Sequence, residues 1–127
     1  MEFKKYNANP KGIKAGDCVV RAISVASDRS WEGVYTELYD IGLRLKRMPS
    51  EKLVFEKWLE QHGWVKGKMP RHNDGTRYTV REWVDSNPTI IMVISVASHL
   101  THSDHGVLID TWNCGSKCVG NYWIRSE

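Results

Sequence analysis

The chain has 127 residues, 41% of them hydrophobic and 26% charged, with a formal net charge of +3. This length suits one domain with a real core, and no run approaches the roughly 18 apolar residues of a membrane span. Three cysteines are an odd number, which favours reduced thiols over a disulfide framework. The opening Met-Glu-Phe-Lys-Lys lacks the apolar core of a secretory signal, so a cytoplasmic location is expected. The basic residues are densest at Lys66, Lys68, Arg71 and His72, too sparse for a nucleic-acid footprint.

Residues 1–16, with Asn7, Asn9, Pro10, Gly12 and Gly16, read as an extended arm or loop. A first helix is predicted from about Cys18 to Ser27, with the Asp17 carboxylate capping its first turn. Val19, Val20, Ala22, Ile23 and Ala26 make it apolar on most sides, so it should be the buried central post of the domain. Ser30 caps a second helix whose stripe is Trp31, Val34, Leu38, Ile41 and Leu45, ending near Arg47 before Pro49. Ser50 caps a third helix, Glu51 to His62, with Val54, Phe55, Trp58 and Leu59 on its apolar face, and Gly63 stops it.

The period then changes. Trp64 to Lys68 reads as a short strand, residues 69–78 as a polar loop, and Thr79 caps a short helix to about Asp85. Thr89 to Val96 is a β-branched apolar run suited to a central strand. His99 to Ser103, the turn Asp104-His105-Gly106 and Val107 to Asp110 form a hairpin, and a last strand lies near Cys118 to Ile124. Helices first and an antiparallel sheet second predict a single α+β domain over residues 1–127.

A cysteine at the start of a buried helix is placed for reactivity, because the thiolate is the nucleophile and a helix N-terminus favours it. It needs a base and a group that orients the base. The hairpin supplies both, since His99 opens one strand and Asp110 ends the next, and the two are expected to lie opposite one another. Trp112 falls on the same strand face as Asp110 and would shield the pair from water. Trp31, Trp58 and Trp83 fall on helix stripes and read as core, whereas Trp64, Trp112 and Trp123 read as groove walls.

Cysteine at a helix N-terminus, then histidine, then Asp or Asn on a neighbouring strand, is similar to the papain-like cysteine peptidase superfamily. Gly16-Asp17-Cys18-Val19-Val20-Arg21-Ala22-Ile23, His99-Leu100 and Asp110-Thr111-Trp112 resemble a set of small proteins of that fold from bacteria and their phages. The resemblance covers residues 7 to 124 and implies Cys18 as nucleophile, His99 as general base and Asp110 as the orienting residue. It implies no cofactor, and a peptide, isopeptide, small amide or thioester as substrate, or a partner's flexible tail. Papain carries a glutamine a few residues before its cysteine to bind the oxyanion, and this chain has Gly12 there. The Cys18 N–H, Asn7 and Asn9 are left as oxyanion donors, with Asp17 and Trp112 completing the substrate-binding set.

Two other readings stand beside this one. In the first, the same fold is an inactive binding module, such as a phage would encode, that sequesters a small molecule or a host protein. In the second, His102-x-x-His105 and Cys114-x-x-x-Cys118 supply four ligands within 17 residues for a structural zinc. Cys18 as a buried core residue, and His102 and His105 as exposed hairpin residues, are the plain readings of those side chains.

Overall fold

The computed structural model describes residues 1–125. In chain order the elements are β1 (Glu2–Lys5), α1 (Cys18–Ala26), α2 (Trp31–Leu45), α3 (Lys52–Gln61), β2 (Trp64–Gly67) and α4 (Val80–Ser86), followed by β3 (Ile91–Val96), β4 (His99–Asp104), β5 (Val107–Asp110) and β6 (Tyr122–Arg125). The strands form one six-stranded sheet in the order β1-β5-β4-β3-β6-β2. The architecture is α+β, as the order of the patterns predicts.

Two features of the sheet differ from expectation. It is mixed rather than antiparallel, because β1 pairs in parallel with β5, from Glu2 with Val107 to Lys5 with Asp110. The supposed arm therefore supplies an edge strand, continued by Tyr6 N–H donating to the Asp110 carbonyl at 2.9 Å. The last strand also starts later, at Tyr122, while Cys118 makes only an isolated bridge to Thr79.

The sheet separates two apolar layers. On one face α1, α2 and α3 pack their stripes against Val93, Leu100 and Trp123. Leu38, Val54, Trp58 and Ile23 in this layer are all 0% exposed, and burying each such side chain contributes about 1.5–3 kcal/mol. On the other face Val80 and Val84 of α4 cover Met92, Ile94 and Leu108. Trp64 and Trp123, expected as groove walls, are instead buried in the helical layer, where the β2–β6 pairing turns both towards α3.

The helix boundaries follow their caps. Ser30 accepts from Gly33 N–H at 3.0 Å, and Thr79 and Glu82 form a reciprocal capping box. Glu51, not Ser50, occupies the cap of α3. Lys46 ends α2 in the left-handed region at φ 59°. The β4–β5 hairpin turns through His105 and Gly106, both at positive φ, which is the two-residue turn that matches strand twist.

Candidate active site

α1 lies against β4, so its N-terminus meets the end of the sheet where β4 starts and β5 stops. Cys18 is the first residue of α1, His99 the first of β4 and Asp110 the last of β5. Three residues far apart in sequence thus arrive at one corner. Gly16, at φ +64°, sets the turn into the helix; a side chain there would meet open space, so the requirement for glycine is conformational.

His99 Nε2 lies 2.7 Å from Asp110 Oδ2. That leaves Nδ1 for Cys18, whose ionisation is coupled to the ring and to the Leu100 backbone N–H. The expected face-to-face pairing needs one correction. β4 pairs with β5 as His102 with Ile109, and extending that register sets Asp110 beside Thr101, so His99 reaches it diagonally along one face. The other carboxylate oxygen of Asp110 accepts from Thr111 N–H at 2.6 Å and faces Arg21 Nη2 at 3.9 Å. Trp112 is 41% exposed, with its ring centroid 4.9 Å from that of His99.

The electrostatics of the three groups are mutually supportive. Burial resists ionisation of Cys18, but His99, the Leu100 N–H and the Arg21 charge outweigh it and bring the thiol below its ordinary range. Burial likewise resists the imidazolium, yet Asp110 and Cys18 raise His99 to about 9. Asp110 is held below the usual carboxylate range, with burial overcome by His99 and Thr111. These shifts all favour the charged forms, a thiolate, an imidazolium and a carboxylate in sequence, over their neutral counterparts.

No protein family, curated protein or solved structure matches the chain.

The remaining expected site residues fall elsewhere. Asp17 does not cap α1 through its side chain. Its carboxylate instead accepts from Arg21, from Trp31 Nε1 at 2.9 Å and from Asn9 Nδ2 at 3.1 Å, which together overcome burial and keep it ionised. Asn9 spends its Oδ1 on Lys11 N–H at 2.9 Å. Asn7 bridges Asn9 N–H at 2.9 Å and the Ile13 carbonyl at 3.1 Å. Through these bonds all three serve to fix the loop before Cys18. The donors left beside it are the first backbone N–H groups of α1, which have no acceptor within the helix.

The four-ligand zinc reading does not converge. His102 is 2% exposed, buried on the helical face with both ring nitrogens unpaired, while His105 stands at an exposed turn and Cys118 is exposed. Among the described residues the cluster with metal-ligand proximity is His99, Asp110 and Cys114, whose ligand atoms lie within 4.8 Å of one another. A metal there would have to open the His99–Asp110 hydrogen bond. Burial and the Asp110 charge also push the Cys114 thiol up to about 11, away from the thiolate a metal needs.

A groove of about 600 Å³ opens beside Cys18 and His99, between α1 and α3 on one side and the β3–β4 turn on the other. Reading the sequence missed this groove and Arg21. The signal for Arg21 was there: it is the one charged residue in an otherwise apolar helix, a turn beyond Asp17 and Cys18.

Proposed function

We propose that the chain is a cysteine-dependent hydrolase or acyl transferase of papain-like type, using Cys18, His99 and Asp110 as a triad. The observation that carries the reading is the 2.7 Å His99–Asp110 contact beside a thiol whose ionisation is favoured by that same imidazole. The groove at the thiol gives an acyl substrate access to it.

The chemistry follows from the arrangement. The Cys18 thiolate attacks a carbonyl carbon, and the oxyanion that forms is placed near the N–H groups of the first turn of α1. The His99 imidazolium gives its proton to the leaving group as the tetrahedral species collapses to a thioester. Neutral His99 then takes a proton from water, or from an acceptor nucleophile, which attacks the thioester and releases Cys18. Asp110 keeps Nε2 protonated and Nδ1 aimed at sulfur throughout.

p-Nitrophenyl acetate tests this directly. Acetylation should appear by intact mass at Cys18 with release of p-nitrophenolate, vanish in Cys18→Ala and slow by about 10²-fold or more in His99→Ala. Acetylation of other nucleophiles with Cys18 untouched would overturn the reading.

A further inference from the structure

The walls of the groove carry an unbalanced charge. Its apolar floor is Val19, Phe55, Val96 and Leu100, and apart from the Cys18–His99 pair its charged lining residues are Lys52 and Arg77, both cationic. Each is fastened to a neutral acceptor: Lys52 Nζ to Asn121 Oδ1 at 2.5 Å, and Arg77 Nη2 to the Val119 carbonyl at 3.0 Å. Both side chains are exposed, and these bonds orient the two charges without neutralising them; among the described residues neither cation has a carboxylate partner within ion-pair distance. Asp17, the acidic residue adjacent to Cys18, is spent on Arg21, Asn9 and Trp31.

We infer that the groove selects acyl substrates bearing a carboxylate close to the scissile carbonyl, with Lys52 and Arg77 as the residues that recognise it. The inference rests on Cys18 being the nucleophile and adds the substrate class. An acidic side chain and a free C-terminal carboxylate offer the same chemistry, and both suit a peptide lying along the groove with an apolar side chain against Phe55. A guanidinium holds a carboxylate in a two-pronged hydrogen-bonded geometry, while a lysine ammonium supplies a point charge.

A matched pair of tripeptide chloromethyl ketones, with Glu or Gln next to the reactive residue, tests the claim. The thiolate displaces chloride, forming a C–S bond that mass spectrometry locates. The Glu reagent should alkylate Cys18 about two- to fivefold faster, the advantage expected of exposed ion pairs. Lys52→Met alone should reduce that preference, and Lys52→Met with Arg77→Gln should abolish it. Equal rates in the parent chain, or a preference that survives the double variant, would overturn the inference.

A second arm is independent of the nucleophile. In Cys18→Ala, a Gly-Leu-Glu tripeptide as the free acid, as the C-terminal amide and with Gln in place of Glu should shift the NMR signals of Lys52 and Arg77 to different extents. The free acid should act most strongly, and whichever replacement loses more identifies the carboxylate that is read. Failure of both chloromethyl ketones to label Cys18 while the acid still binds would count against the nucleophile, not the groove. Equal shifts from acidic and fully neutral peptides would overturn the groove.

Discussion

Replacing Asp110 with asparagine removes the charge facing His99 but keeps an oxygen to which Nε2–H can donate across the same 2.7 Å gap. His99 stands at about 9 against an ordinary value of 6.5, a shift equivalent to ~3 kcal/mol in favour of the imidazolium. Burial works against that shift, and Asp110 and then Cys18 supply it. A close opposite charge typically contributes 1–3 units, so Asp110→Asn should lower the His99 value by about 1–2 units while leaving the ring orientation intact. Asp110→Ala should lower it similarly and also free the ring to rotate. The measurement is a proton–nitrogen NMR titration of the His99 ring in the three proteins, with the Nε2–H resonance reporting the tautomer. A His99 midpoint still near 9 in Asp110→Asn would refute the claim that the carboxylate sustains the imidazolium.

His102 is buried and unpaired, and burial lowers it from 6.5 to about 4 despite the opposing pull of Asp110 and Asp104. The unfolded chain therefore takes up the proton first, and stability should fall as pH drops from about 6.5 towards 4, with a slope approaching ~1.4 kcal/mol per pH unit. Asp17 and Asp110, both lowered from 3.8, lose their contribution only at more acid pH, so urea melts of His102→Leu should be flatter between pH 6 and 5 if this assignment holds. Gly16→Ala forces a left-handed φ on alanine and should cost about 1–2 kcal/mol by urea melt, while slowing Cys18 alkylation through the displaced start of α1. Leu38→Ala, at a fully buried position under α1, should cost about 2–5 kcal/mol, read as a lowered melting temperature, with alkylation of Cys18 unchanged below the transition.

How much could be read in advance follows the range of the signals. Ser30, Thr79 and the His105-Gly106 turn are local, and the elements they start or join stand close to where the patterns place them. The meeting of Cys18, His99 and Asp110 depended on a helix start and one tight hairpin, both short-range features. Their order and spacing therefore carried the information. β1 was illegible because its four residues, Glu-Phe-Lys-Lys, show little apolar patterning and pair through backbone with a strand about a hundred residues away. Asp17 was misread because Trp31 and Asn9, which claim its carboxylate, come from segments that fold against it only in three dimensions. Trp64 and Trp123 were misplaced for a related reason: the side of a strand that meets the core is set by its register with its neighbours. The charge imbalance in the groove arises from Lys52 of α3 and Arg77 of the loop before α4, and no linear stretch contains both.

The most direct measurement is the pH dependence of Cys18 alkylation by iodoacetamide, with the modified site read by peptide mass spectrometry. Activation of Cys18 by His99 predicts a labelling rate that rises along a pH limb below the ordinary thiol value of 9.0, and a return of that limb towards 9 in His99→Ala. A Cys18 rate that climbs through pH 9 as a free cysteine's does, with His99→Ala making no difference, would contradict it.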